Sequence, residues 1–325
     1  MTYSKVSVKA PLAIFFYNRP DLFERLLLGL KKINFKTVYL ISDGPKENLA
    51  DGFLVEKCRK LAEDMISAKE VRTFYRYQNV GMPKNLTEGI DWVFKNEDFS
   101  IFLEDDTIPD PSFFAFCEEL GSKFYHEERV FSIGGFNRFH SLSNPIVPGS
   151  YFFSSYPSLW GWASWSKKWV DNYDYNMVDW PRIKKEGLFK NAFPAKKERE
   201  YWENKLDKVY DEKYTWDTQL VLSHKVNNLV SVVPSVNLVS NIGIGREDST
   251  NSKALTGLSK IVHQEVKFPL RHPKEMEVNL NYDSEFRKYV APSLTKRIWM
   301  KYQRMIWSPL KSQLDCRKEC IEIKN

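Results

Sequence analysis

Four short runs rich in β-branched and aromatic residues, 12–16, 37–41, 71–75 and 100–103, are separated by three stretches with helical periodicity. This alternation constrains the fold most, because parallel strands need a long crossover between them and a helix fills that crossover. The helix over 21–32 places Leu22, Leu26, Leu27 and Leu30 on one face, with Pro20 in the first turn, where its missing N–H costs little. The helix over 83–96 does the same with Leu86, Ile90, Val93 and Phe94, and a third helix is predicted over 48–68. The βαβαβαβ order predicts an α/β fold with a mostly parallel central sheet flanked by helices on both faces.

Ligands of such sheets bind outside the carboxyl ends of the strands. Four polar clusters follow predicted strands: Asn18-Arg19, Ser42-Asp43, Tyr77-Gln78-Asn79 and Glu104-Asp105-Asp106. They are expected to share one rim. Beyond Pro111 the alternation gives way to an α+β pattern, with helices over 112–126, 196–210 and 217–227, strands over 130–133, 151–153 and 229–233, and a loop over 241–246. The chain divides into two halves of one domain, 1–110 and 111–275, and a basic, aromatic C-terminal helical tail, 276–325.

The acidic triplet ends an apolar strand, where like charges repel and folding alone gives little reason for them. Mg²⁺ or Mn²⁺ takes one or two carboxylates from a protein and completes its shell with phosphates and water. The triplet therefore reads either as a cation site or as a solvated turn with Asp106 capping the next helix. Asp43 reads as an acceptor for a base or ribose, or as an Asp-Gly turn. Arg19 before a helix start suits a phosphate, though a surface arginine would look the same.

The run Trp160-Gly161-Trp162-Ala163-Ser164-Trp165, with Trp169, concentrates indoles that stack on the C–H faces of sugars. Trp162, Trp165 and Trp169 also have helical spacing, so part of the group is expected in the core, leaving Trp160 and Gly161 as better site residues. Trp216-Asp217 opens a predicted helix; Asp217 is either a first-turn acid or, partly desolvated by the indole, a general base.

A net charge of +6 with 28% charged residues of both signs falls short of a nucleic-acid-coating composition. Cys58, Cys117, Cys316 and Cys320 have no zinc spacing and read as reduced structural thiols; the five histidines show no paired ligand spacing. No window approaches the ~20 apolar residues of a membrane span, and the N-terminal apolar run is too short for a signal peptide. A cytoplasmic location is expected.

In series, IFFYNRP with Arg19, LISDG with Asp43, FLEDDTIPDPSFF, SLWGWASW and TWDTQ with Asp217 resemble a family. The chain is similar to GT-A fold glycosyltransferases that use nucleotide-diphospho-sugars, most of all the inverting N-acetylglucosaminyltransferase I-type enzymes and their bacterial relatives. The resemblance covers about residues 10–245. It implies that Arg19 and Asp43 contact uridine or its phosphates, that Glu104 and Asp105 lie near ribose and donor sugar, that Asp106 coordinates Mn²⁺ or Mg²⁺, and that Asp217 is the base. Trp160, Gly161 and Trp162 match the element that floors the sugar pocket, and Asn79 joins the donor side. The loop from Asn241 to Asn251 lacks a histidine that some relatives place there, and Arg246 takes its place as a phosphate contact.

The expected activity is metal-dependent, inverting transfer from a nucleotide sugar, with UDP favoured, to a glycan or lipid-linked acceptor, as in cell-surface polysaccharide or glycolipid assembly. A sugar-phosphate nucleotidyltransferase would use similar carboxylates, but it should carry a Gly-rich phosphate loop after the first strand, and Phe16-Tyr17-Asn18-Arg19-Pro20 has no glycine. A non-catalytic carbohydrate-binding protein would use the tryptophans alone. Residues 286–311 interleave Arg and Lys with Trp299, Tyr302 and Trp307, which suits either an anionic membrane surface or packing on the domain.

Overall fold

The computed structural model describes residues 6–139, 149–246, 258 and 261–291. The parallel half is built from β1 (Val6–Val8), β2 (Leu12–Phe16), α1 (Pro20–Leu30), β3 (Ile33–Ser42), α2 (Leu49–Met65), β4 (Ala68–Tyr75), α3 (Met82–Phe94) and β5 (Phe99–Glu104). β2 is parallel to both β3 and β5, and β4 is parallel to β3. The predicted α/β fold, a mostly parallel sheet between helices, is the fold observed.

Each central strand alternates its side chains between two cores, as the pleat requires. Leu12, Ile14, Ile101 and Leu103 join α1, α2 and the helix α4 (Ser112–Lys123) on one face. Ala13, Phe15 and Phe102 meet Leu86, Ile90 and Val93 of α3 on the other. The strands are buried on both faces, which is why they read as unbroken apolar runs.

The second half continues with β6 (Thr107–Pro109), β7 (Val130–Gly134), β8 (Tyr151–Ser154), β9 (Trp162–Trp165), β10 (Val230–Pro234) and β11 (Val239–Asn241). The main sheet runs β1-β3-β2-β5-β9-β7-β10-β8, while β6 and β11 form a separate antiparallel pair. β9 lies between β5 and β7 and is antiparallel to both, so its amino end reaches the carboxyl rim of its neighbours. The helical spacing of Trp162, Trp165 and Trp169 is therefore not realised. Trp162 and Trp165 occupy a strand and enter opposite cores, and Trp169 lies on the short helix α5 (Ser166–Asn172). Local spacing misled here because the strand is set by pairing across the sheet.

A third core joins α6 (Trp180–Lys185), α7 (Leu188–Ala192), α8 (Lys196–Glu212) and α9 (Thr218–Val226). α10 (Leu280–Val290) packs Phe286 and Val290 on this cluster. Asp283 fixes the helix by accepting hydrogen bonds from Ser154 Oγ at 2.6 Å and the Ser155 backbone N–H at 3.1 Å. The beginning of the expected tail thus packs on the domain. Its remainder, 292–325, with Trp299, Tyr302, Trp307, Cys316 and Cys320, lies outside the described residues. Cys58 and Cys117 are buried and unpaired. Among the described residues no helix is long and apolar enough to cross a membrane.

His224 on α9 is fully buried, with Nδ1 2.7 Å from the Leu220 carbonyl and Nε2 2.9 Å from Ser231 Oγ. Burial lowers its pKa to about 4 from an ordinary 6.5. The unfolded chain takes up this proton first, so His224 supports stability above pH 6.5 and loses that support as pH falls toward about 4. The loss should amount to about 3 kcal/mol over that window. Thermal melts from pH 4 to 7 should fall more steeply for the wild type than for His224→Gln; parallel curves would refute this.

Candidate functional site

The parallel register brings the loop after β2 beside the loop after β5, with the Asp105 backbone N–H donating to the Phe15 carbonyl at 2.9 Å. Arg19, at the N-cap of α1, consequently points into the acidic turn. Its Nη2 pairs with Asp105 Oδ1, its Nε lies 3.4 Å from Asp105 Oδ2, and its Nη1 lies 3.0 Å from Asp106 Oδ2. Burial opposes the guanidinium charge, and the Asp105 and Asp106 carboxylates outweigh that opposition.

Burial first, and then the charges of Asp106 and Asp105, push the Glu104 carboxyl upward. The turn itself is closed by Thr107, whose hydroxyl donates to the Glu104 carbonyl at 2.7 Å. The β6–β11 pair then carries the chain after β11 over Asp106, where Asn241 Nδ2 approaches Asp106 Oδ1 at 3.3 Å and the Ile242 N–H donates to the Asp106 carbonyl at 2.8 Å. Gly243 is required by close approach: a Cβ there would lie 2.3 Å from Asp106 Oδ2.

Asp217 stands at the N-cap of α9. Its Oδ1 accepts from the hydroxyls of Thr215 at 2.6 Å and Thr218 at 3.3 Å. One oxygen is thus anchored and the other, Oδ2, has no hydrogen-bond partner among the described residues. Trp216, the chain neighbour of Asp217, stacks on Trp162, which pairs with Phe102 close to the carboxyl end of β5, so Asp217 lies toward the sheet end that carries the acidic turn. Trp216 stacks on Trp162 at 6.0 Å between ring centroids, and its carbonyl accepts from the Tyr173 hydroxyl at 3.0 Å, fixing the entry to α9.

Trp160 and Gly161 precede β9 and so sit at this rim. Trp160 is half-buried, with its ring 4.4 Å from that of Phe136. Gly161 has a φ of +62°, and a Cβ would lie 2.6 Å from Val239 Cγ2, so glycine is needed on both counts. Trp162 instead is 3% exposed and packs against Phe102 at 4.7 Å, so it belongs to the core beneath the rim.

The structure does not draw Asp43 and Asn79 into the same contacts. Asp43 is 4% exposed and accepts from the N–H groups of Gly44 at 2.8 Å, Val80 at 3.0 Å and Gly81 at 3.0 Å, and from Asn79 Nδ2 at 3.2 Å. These four donors take up its accepting capacity. In this arrangement Asp43 holds the loop after β4. Asp43→Ala should cost roughly 2–4 kcal/mol by stranding buried donors, read as a shifted denaturant midpoint with an unchanged slope; an unmoved midpoint would remove this role. Arg246 Nη1 pairs with Asp21 Oδ2 at 2.7 Å near the start of α1.

Residues the sequence reading passed over include Asn241 and Gly243, and also Arg138. Arg138 follows β7 at the same rim, and the signal for it was a cation between aromatics, Phe136-Asn137-Arg138-Phe139, directly after a predicted strand.

Around Asp106 the donor set is hard oxygen, and three neighbouring acids face one guanidinium. These oxygen donors suit a divalent cation bound through one or two carboxylates and completed by phosphates, with Asp106 itself largely covered by Arg19 and the segment after β11. The described residues hold no cluster of three or more metal-ligating side chains, so the protein alone would not enclose the ion.

No family model matches the chain, and no curated protein matches it. Among solved structures, it is similar to the apo form of WbbM, a bifunctional glycosyltransferase, at 10% identity and a TM-score of 0.32, over 70% of this chain and 38% of that one. It is also similar to apo mouse xyloside xylosyltransferase 1, at 11% identity and a TM-score of 0.32, over 67% of this chain and 81% of that one. The chain spans well under two thirds of the WbbM chain.

Proposed function

We propose that the protein is a GT-A type glycosyltransferase that moves a sugar, with inversion, from a nucleotide diphosphate donor to a glycan or lipid-linked acceptor. The observation that carries this reading is one rim that joins the Arg19–Asp105–Asp106 cluster to Asp217, a carboxylate with one anchored and one unpartnered oxygen. Arg19 and Asp106 would hold the diphosphate end of the donor, Glu104 and Asp105 would face its ribose and sugar, and Trp160 with Gly161 would floor the sugar. Asp106 would hold Mg²⁺ or Mn²⁺, which supplies charge neutralisation for the leaving diphosphate. Asp217 Oδ2 takes the proton of the acceptor hydroxyl, the hydroxyl oxygen bonds to the anomeric carbon, and the bond from that carbon to the phosphate oxygen breaks. The electron pair leaves with the nucleoside diphosphate. UDP is the favoured nucleotide by resemblance, and a cytoplasmic setting belongs to the same proposal.

A panel of nucleotide sugars, assayed for slow hydrolysis with and without Mn²⁺, tests both reaction class and donor. Release of the nucleoside diphosphate from one donor, at least tenfold faster with the ion, is expected. Pyrophosphate release from a nucleoside triphosphate and a sugar phosphate would point to a nucleotidyltransferase instead, and saccharide binding without turnover of any donor would point to a lectin-like protein.

A further inference from the structure

Arg138 leaves β7 at the carboxyl rim and enters a ring of aromatic side chains. Its guanidinium carbon lies 4.8 Å from the Tyr289 ring centroid, 5.6 Å from Trp160, 5.7 Å from Phe136 and 5.8 Å from Phe286. Cation–π attraction favours this placement. It does not supply oxygen acceptors for the donors of the guanidinium fork. Among the described residues the Arg138 side chain has no carboxylate or hydrogen-bond partner, and Nη1 is buried without one.

A buried, unmet donor on a charged group is costly, commonly about 1–3 kcal/mol or more. Every other arginine or lysine named at this rim is already engaged: Arg19 by Asp105 and Asp106, Arg246 by Asp21. The position of Arg138 also sets it apart from the Arg19 cluster. It shares Trp160 with the floor, while Tyr201 on α8 lies within electrostatic reach of both Arg138 and Asp217. Tyr201, Tyr214 and Tyr289 are partly exposed rings on this flank, at 36%, 39% and 38%. Stacking rings around an unpaired fork suit a saccharide that carries a negative charge.

We propose that Arg138 binds an oxyanion, a phosphate or a carboxylate, on the acceptor saccharide, so that this flank of the site selects acidic or phosphorylated acceptors over neutral ones. The proposal rests on the glycosyltransferase reading for the word acceptor, but the binding it describes does not require turnover. Phosphate carried on a sugar and carboxylate carried on a uronic acid share the recognition chemistry.

The test is calorimetric binding of a hexose 1-phosphate, a hexuronic acid, the matching neutral methyl hexoside, inorganic phosphate and UDP with Mn²⁺ to the full chain and to Arg138→Gln and Arg138→Lys. Either charged saccharide should bind the wild type at least tenfold tighter than the neutral one, and whichever does identifies the oxyanion. Arg138→Gln should abolish the preference, Arg138→Lys should restore part of it, and UDP affinity should stay within twofold in both. Equal binding of charged and neutral saccharides, a preference that survives Arg138→Gln, or a parallel loss of UDP affinity would each overturn the assignment. So would inorganic phosphate binding as tightly as the sugar phosphate, since the rings would then contribute nothing. Failure of the hydrolysis panel with these binding results intact would overturn the transferase reading while leaving the anion site in place.

Discussion

Asp217→Asn is expected to lower transfer at least 10³-fold while leaving donor affinity within about threefold. The amide is nearly isosteric, so Thr215 and Thr218 still meet an oxygen at Oδ1 and α9 keeps its entry geometry. What disappears is the basic lone pair on the second oxygen. General-base contributions commonly reach 10²–10⁴-fold, and among the described residues of this site no other carboxylate combines an anchored and an unpartnered oxygen. Calorimetry with UDP and Mn²⁺ beside single-turnover transfer separates the two effects. Near wild-type turnover would remove Asp217 from the chemistry, and a matching loss of donor affinity would recast it as a binding residue.

Asp106→Ala should abolish measurable donor binding, a loss of at least 100-fold, and with it the dependence of hydrolysis on Mn²⁺. The substitution removes the Asp106 carboxylate and frees Arg19 Nη1 and Asn241 Nδ2 from their partner. Asp106→Asn keeps the size of the side chain against Gly243 and serves as the control for packing. Titration of UDP with and without Mn²⁺ reads the result. If Asp106→Asn binds UDP with the same metal dependence as the wild type, the ion is held elsewhere and the charge argument around the turn fails.

The parallel half was legible because its strands are buried on both faces and therefore read as continuous apolar runs, and because each helix carries a clean stripe. β2 was predicted at its observed bounds, and the rim position of Arg19 and the acidic triplet followed from strand order alone. The tryptophans were harder, since four residues of β9 carry a pattern that a helix would also show and only pairing with β5 and β7 selects the strand. Asp43 was ambiguous for a related reason. Its partners, the N–H groups of Val80 and Gly81, come from a loop far along the chain that no local pattern links to it. Arg138 went unseen because the rings around it come from three separate stretches, including α10, and a lone arginine carries no spacing to read.

β9 also bears on how the chain reaches this structure. It is the seam between the two parts of the sheet, yet it is made long after the strand it covers: Phe102 of β5 pairs with Trp162. Until residues 162–165 arrive, β5 is an open edge with a free row of backbone donors and acceptors, the kind of edge that invites pairing with another chain. Contacts so distant in sequence close slowly, because the entropy of the loop must be overcome before they stabilise anything. A nascent chain halted before β9 should be the most aggregation-prone species on the way to the native protein.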